Sequence, residues 1–434
     1  MQLRYPYVLA VTSVVVMGGG VVYLRLLGER LPDGHPLLGL AANIILVALL
    51  IVVARYFFLL WFSFLGHLEA ATGEEAERLP LVSIIVPAFN EAKVIESAMR
   101  SLAGLDYPSL EIVVVDDGST DGTYRRALVE AARLPGITAR VVTQHNQGKA
   151  AALNRGIAEA AGELVLCVDG DSVLVPQSLR RAVRHFADPH VGAVAGNVKV
   201  VNRVNLITWL QALEYVEGLN MVRRAQAFFG LVNVVPGPLG LFRRTAIRGV
   251  GGYPTDTYAE DCDLTLSLLE RGWRLAYEPE AVSLTEAPER LGPLFKQRYR
   301  WTRGMLLALR KRKRLVFARG TAFTTRLTLC YMLVECLLWP LANVMANLML
   351  LGIVAEYGFM RLLLLWWLQL TLLDAVGALF CVAMEGEDAR LIPFAVIYRM
   401  TYILLIDVCK VLSTVEEFFG ASMTWGKLER LGRI

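Results

Sequence analysis

Apolar residues in this chain come in runs of two lengths, and the two do not mix. Runs of strand length fall in the middle, at 81–87, 111–115 and 164–168. Runs of membrane length lie on either side, at 8–27, 37–65, 327–354, 362–384 and 391–412. A helix needs about 20 mostly apolar residues to cross a hydrocarbon core, so the long runs predict membrane spans. The short runs alternate with helical patterns at 91–104 and 123–134. Continuous apolar strands of this kind predict a mostly parallel sheet with helices on both faces. The expected fold class is therefore α/β: a cytosolic domain inserted between transmembrane helices, followed by a basic amphipathic helix at 293–313 on the membrane surface. A short strand is expected around Leu275-Ala276-Tyr277.

Composition agrees with this layout. The 434 residues are 55% hydrophobic and 19% charged, more apolar than soluble proteins of this size. A net charge of +4 is too small to point to nucleic acid. The basic residues cluster beside the apolar runs, which makes the lipid bilayer the expected partner of that charge. The six cysteines form no CxxC pair and are expected free and reduced, in a protein facing the cytosol. No Ala-x-Ala cleavage site follows the first apolar run and a second run comes soon after, so the N-terminus is expected to stay as an anchor. The last run carries Arg399, Asp407 and Lys410. Charges at mid-bilayer are costly, so this segment is expected to lie in the interface and leave a basic tail on the cytosolic side. The expected boundaries are a transmembrane hairpin at 1–68, a linker at 69–80 and the catalytic domain at 81–292. Interfacial helices follow at 293–326, transmembrane helices at 327–385, and an interfacial or transmembrane helix with the tail at 386–434.

The strand-length runs end in carboxylates, and in open α/β sheets ligands sit beyond the carboxyl ends of strands. Asp169-Gly170-Asp171 places two carboxylates at one strand end, suited to a divalent ion bridging a diphosphate. Alone, the same triplet is a common surface turn. Asp116 and Asp117 end another strand, and carboxylates accept from base N–H and ribose hydroxyl groups. An Asx turn or helix cap uses the same residues. Pro87, Asn90 and Glu91 end the first strand and offer a second wall for the nucleotide. Gln147-Gly148-Lys149 offers backbone N–H groups and one cation; a solvated helix start looks the same. Glu260-Asp261 supplies a candidate base for deprotonating an acceptor hydroxyl, against a plain role in capping a helix. Gln297, Arg300 and Trp301 share one helix face. Arg300 suits a departing diphosphate and the Trp301 indole suits the apolar face of a sugar, although interfacial helices also use Arg and Trp as anchors. Arg310 to Arg314 is assigned to anchoring. In this order the motifs predict transfer of a sugar from a nucleotide at a membrane. A transporter with a regulatory nucleotide domain would instead lean on intramembrane ionisable residues such as Glu335 and Asp374.

These residues resemble the membrane-integrated, inverting glycosyltransferases of family 2, the group of cellulose, hyaluronan, chitin-type and poly-N-acetylglucosamine synthases. The resemblance is close over 81–301. It is carried by Val-Val-Asp-Asp-Gly-Ser-Thr-Asp-Gly at 114–122, Gly148-Lys149 with Leu153-Asn154, Asp169-x-Asp171, Glu260-Asp261 and Gln297-x-x-Arg300-Trp301. It implies a GT-A-type domain, a UDP-sugar donor, and Mg²⁺ or Mn²⁺. It implies that Asp117 contacts the nucleotide, that Asp169 and Asp171 serve the metal-diphosphate, and that Asp261 is the base. Gln297, Arg300 and Trp301 would then bind leaving group and acceptor. Pro236-Gly237-Pro238 looks like the loop beside the acceptor in hyaluronan-type synthases. Trp425-Gly426-Lys427 looks like the Trp-Gly-Thr-Arg gating segment of hyaluronan and chitin synthases, although the third and fourth positions differ. Ala259 stands where many members have Thr. The activity implied is processive synthesis and export of a β-linked, N-acetylglucosamine-type polysaccharide at the inner membrane. The alternatives are a glycolipid synthase adding one sugar, and a two-sugar hyaluronan-type synthase. With so few spans, the path for a polymer calls for a small membrane subunit or a second copy of the chain.

Overall fold

The structure is a computed structural model that describes residues 18, 36–71, 78–170, 172–357 and 360–420. The expected span at 8–27 lies outside the described residues except for Gly18. The first long helix, α1, covers Pro36–Ala71 and contains the second expected span.

The catalytic domain is built on one eight-stranded sheet of order β3-β2-β1-β4-β7-β6-β8-β5. Strands β1 (Val82–Ala88), β2 (Leu110–Asp116), β3 (Thr138–Thr143) and β4 (Leu164–Cys167) form a parallel block. Helices α2 (Ile95–Ala103), α3 (Thr123–Ala131) and α4 (Lys149–Glu159) make the crossovers. Strand alternation sorts the apolar run onto two faces. Ile85, Val113 and Val115 pack with Ala152, Leu153 and Ile157 of α4. Ile84, Val86, Ile112 and Val114 pack with Ile95, Met99 and Leu102 of α2. Each fully buried aliphatic side chain contributes about 1.5–3 kcal/mol, so both faces hold the strand ends rigidly.

The other half departs from a purely parallel sheet. Strand β5 (Val173–Leu174) leads to α5 (Ser178–Val183), and β6 is Val191–Val200. The chain then leaves the sheet through α6 (Leu206–Leu213), a wide π-helical stretch (Glu214–Asn220) and α7 (Met221–Ala227). It returns as β7 (Gly240–Arg243), antiparallel to both β4 and β6. Helices α8 (Arg244–Gly249) and α9 (Glu260–Glu270) follow, then β8. The short strand expected around Leu275 is in fact Arg274–Thr285, because its second half continues pairing along β6 after a register shift.

Helix α10 (Leu291–Arg312) is the predicted amphipathic helix. Beyond it lie α11 (Phe323–Leu333), α12 (Trp339–Tyr357), α13 (Met360–Glu385) and α14 (Leu404–Phe418). A wide π-helical stretch, Val334–Leu338, separates α11 from α12 just before Pro340, which cannot donate to the helix ladder. Among the described residues four helical segments are long and apolar enough to cross a membrane: Leu50–Leu68, Phe323–Glu356, Leu363–Glu385 and Ala389–Phe418.

The charges in the last of these are satisfied within the protein. Arg399 donates from Nε to Asp374 Oδ2 (2.8 Å) and from Nη2 to the Tyr56 hydroxyl (2.7 Å). Asp407 accepts from Asn343 Nδ2 at 2.7 Å. The cost of charge that argues for an interfacial helix is met here by partners on neighbouring helices. The C-terminal end of α14 docks on α10, where Arg303 pairs with Glu417 at 2.7 Å and Tyr299 donates to Glu416. All six cysteines are free.

Candidate active site

The nucleotide side of the site forms where parallel strands end. After β1 the chain turns at Asn90, whose φ of 53° is the left-handed conformation that Asn tolerates better than most residues. Asn90 donates its N–H to Ser119 Oγ (2.9 Å), and its Oδ1 accepts from Thr120 N (2.9 Å). The Glu91 N–H donates to Thr123 Oγ1 at 2.8 Å. Pro87 lies in register with Val115 on β2. The loop after β1 is thus stitched to the loop after β2.

The two aspartates after β2 have different surroundings. Asp117 accepts from Gln144 Nε2 (2.8 Å), Gln147 N (3.0 Å) and Gly148 N (2.8 Å). Those bonds hold the loop that delivers Lys149 to the start of α4, so Asp117 contributes to the site by shaping it. Asp116 is buried; its Oδ2 accepts from Thr143 Oγ1 at 3.0 Å while its Oδ1 has no hydrogen-bond partner. Of the two, the carboxyl oxygen without a hydrogen-bond partner belongs to Asp116, and it is buried. Gln144, missed in the sequence, has no local signal beyond its nearness to Gln147.

One ammonium group ties the centre together. Lys149 Nζ lies 2.6 Å from Asp169 Oδ1, beyond the end of β4, and 2.9 Å from Glu260 Oε1, at the start of α9. Burial alone pulls the Lys149 ammonium down, but Asp169 and Glu260 outweigh it and hold it above its ordinary value. Glu260 is pushed up by burial and more strongly down by Lys149 and Arg300, so its carboxyl titrates below the usual range. Its neighbour goes the other way: burial, and then the charge of Glu260, raise the Asp261 carboxyl. Adjacent carboxylates driven apart in this way are suited to different tasks. Asp171 lies outside the described residues.

The opposite wall comes from the Pro236-Gly237-Pro238 loop and from α10. A Cβ at Gly237 would stand 3.0 Å from Lys149 Nζ and 3.1 Å and 3.2 Å from the Asp169 oxygens, so a residue without a side chain lets this loop lie on the charged centre. On α10, Gln297, Arg300 and Trp301 all line the cavity, as their shared face predicts. Arg298 of the same helix is buried and ion-paired with Glu214, and its guanidinium sits 4.1 Å over the Trp301 ring. One indole face is therefore already covered, a contact that the i, i+3 spacing of 298 and 301 carries in the sequence. Gly304 lets α10 pack against the segment before Glu260: a Cβ there would meet Ala259 N at 2.7 Å. Ala259, where the family resemblance implies a Thr, is thus in close contact with α10.

These walls enclose a cavity of about 560 Å³. It runs from Lys149, Asp169, Glu260 and Asp261, past Trp301, to Tyr56, Glu335 and Arg399 on the apolar helices. Arg223 also lines it, and nothing in the local sequence marks that residue. Trp425, Gly426 and Lys427 lie outside the described residues.

With this geometry in view, comparison with known proteins is informative. The family model described as "Glycosyltransferase like family 2" matches residues 80–304. A poly-beta-1,6-N-acetyl-D-glucosamine synthase of Staphylococcus aureus (strain COL) is 34% identical over 229 residues, 52% of this chain and 55% of its own length. The synthase of the same name from Staphylococcus epidermidis is 31% identical over 231 residues, 53% and 56% of the two chains. The chain spans about half the length of the curated relatives it matches. Among solved structures, a mannosyltransferase from Pyrobaculum calidifontis in complex with GDP-Man and Mn²⁺ superimposes with a TM-score of 0.64 at 24% identity, covering 87% of this chain and all of that one; the likeness is one of fold.

Proposed function

The chain belongs to the family 2 glycosyltransferases, and from that premise we propose that it polymerises a β-linked, N-acetylglucosamine-containing polysaccharide from a UDP-sugar and passes it into the membrane. The observation that carries this reading is the continuous cavity, which joins the Asp261 carboxylate to the interior of the apolar helices. A growing chain has somewhere to go that is lined by polar side chains. The relatives named poly-beta-1,6-N-acetyl-D-glucosamine synthases support the choice of sugar.

In the proposed reaction the acceptor hydroxyl oxygen forms a bond to the anomeric carbon of the donor. The bond from that carbon to the diphosphate oxygen breaks on the opposite face, so configuration inverts. The hydroxyl proton passes to Asp261, whose raised affinity for a proton suits a base. Glu260, held ionised by Lys149, keeps that lysine beside Asp169. Arg300 compensates charge on the leaving diphosphate. Asp116 Oδ1 accepts from the nucleotide, with Pro87, Asn90 and Glu91 in the neighbouring loop. Trp301, which lines the cavity with Pro236 and Pro238, offers its indole to the acceptor sugar.

Among the described residues no group of three or more His, Cys, Asp or Glu is placed to hold a metal alone. Mg²⁺ binds through one or two carboxylates and completes its shell with phosphate and water, and Asp169 fits that pattern, with Asp171 as the second carboxylate. When bound, Mg²⁺ or Mn²⁺ supplies positive charge to the diphosphate. Removing divalent ions with EDTA is expected to abolish turnover, and added Mg²⁺ or Mn²⁺ to restore it.

The deciding experiment incubates membranes holding the full chain with radiolabelled UDP-N-acetylglucosamine. Label is expected in a polymer insoluble in organic solvent and cut by a glycosidase specific for β-linked N-acetylglucosamine. Label found wholly in the lipid fraction as a single-sugar species would replace this reading with glycolipid synthesis.

A further inference from the structure

Buried guanidinium groups need an anion, and the described structure has six buried arginines: 223, 224, 298, 303, 312 and 399. Five have a carboxylate partner. Arg224 pairs with Glu385, Arg298 with Glu214, Arg303 with Glu417, Arg312 with Asp263 and Arg399 with Asp374. Arg223 is the exception. It is 8% exposed, and among the described residues no carboxylate lies within ion-pair distance of it. Its Nη1 donates to Asn220 Oδ1 at 3.2 Å. Asn220 is itself fixed, donating from Nδ2 to Asn197 Oδ1 (2.7 Å) and to the Val198 carbonyl (3.2 Å) on β6. The guanidinium is therefore held in a set orientation, and it lines the cavity shared with Asp261 and Trp301. Of the carboxylates, Asp261 is the one whose charge acts on it most.

A buried, oriented cation with no carboxylate partner among the described residues weakens the fold, and such violations collect where function rewards them. The diphosphate side of the centre is already supplied with cations by Lys149 and Arg300. Arg223 comes from a different element, α7, and lines the same cavity as the base.

We propose that Arg223 is an acceptor-binding residue: its guanidinium donates N–H bonds to hydroxyl and acyl oxygens of the acceptor glycan, turning the attacking hydroxyl towards Asp261. This rests on the functional reading above. The rigid fork of N–H groups, which a lysine lacks, suits recognition of paired oxygen atoms.

The test uses the purified full chain in detergent, with UDP-N-acetylglucosamine as donor and a β-linked N-acetylglucosamine oligosaccharide as acceptor. Arg223→Gln is expected to raise the acceptor KM about 10- to 100-fold, the value of a charged hydrogen bond, while the donor Kd stays within about twofold. Its Tm is expected to hold or rise, because an uncompensated buried charge has been removed. Arg223→Lys should recover only part of the acceptor affinity. Equal loss of donor affinity would move Arg223 to the diphosphate side and overturn the assignment. So would a fall in Tm with the acceptor KM unchanged, which is the mark of a structural arginine, or no change in any of the three. If the unaltered enzyme transfers nothing from this donor, the functional reading itself fails, a result distinct from a variant that matches a working parent.

Discussion

The cavity has two walls, and they are held together in opposite ways. On the sheet wall, polar partners sit close in sequence: Asp117 and Gln147 are 30 positions apart, as are Asn90 and Thr120. On the membrane wall partners come from helices far apart in the chain as well as near: Arg55 and Glu335 are 280 positions apart and Tyr56 and Asp374 are 318 apart, while Arg399 and Asp374 are 25 apart. The sheet wall leaves polar atoms facing the cavity, such as those of Asp261. The membrane wall spends most of its charge on itself, where a bilayer would otherwise make each lone charge costly. One wall is built for chemistry and the other for holding a polar interior together among apolar helices.

That contrast breaks or sharpens by mutation. The largest effect is expected on the sheet wall. Asp261→Asn should lower transfer by roughly two to four orders of magnitude while leaving UDP-sugar binding nearly intact, as loss of a general base does. Isothermal titration with donor, beside single-turnover transfer, separates the two; turnover near the parent level would take the base away from Asp261.

On the membrane wall the first loss should be stability. Asp374→Asn leaves Arg399 as an uncompensated buried charge, at a cost of roughly 3–5 kcal/mol. Thermal unfolding in detergent should show it, and the double change Asp374→Leu with Arg399→Met should recover most of the loss. A single variant as stable as its parent would mean that pairing does not hold this wall.

The smallest effect is a pH shift. Asp261 accepts a proton only when ionised, so activity should fall as pH drops through its folded value. Burial and Glu260 raise that value, so the acid limb should lie above the ordinary aspartate value of about 3.9. Glu260→Gln removes the neighbouring negative charge, and the limb should move about one pH unit lower. A limb that stays in place, in a pH–rate profile of the variant, would uncouple the two carboxylates.

Much of the sheet wall was legible because strand formation is local. An apolar run of β-branched residues ending in Asp already says that a carboxylate will stand at a strand end. The strands β1, β2 and β4 of the parallel block, the place of Asp169, the start of α9 at Glu260 and the shared face of Gln297, Arg300 and Trp301 all follow from such patterns, whereas β3, with no continuous apolar run, does not. The antiparallel return of β7 was not legible, since its four residues pair with strands that the chain reaches only after a long helical excursion. The charges of the last apolar run point in sequence to an interface, and only their remote partners show that the protein itself can satisfy them.

By itself, then, the sequence determined the strands β1, β2 and β4, the long apolar helices, and which carboxylates stand at strand and helix ends around the cavity, because periodicity and strand ends act over a few residues. Tertiary structure decided what each charge does there. Arg298 and Arg223 are the same residue type on helices beside one cavity, yet one is ion-paired with Glu214 over Trp301 and the other lines the cavity with no carboxylate partner among the described residues. Asp116 and Asp117 are adjacent, yet Asp117 is filled by the following loop and Asp116 keeps a buried oxygen without a hydrogen-bond partner. A charged side chain takes its role from whatever opposite charge or N–H group packing brings within about 3 Å, and no local pattern contains that information.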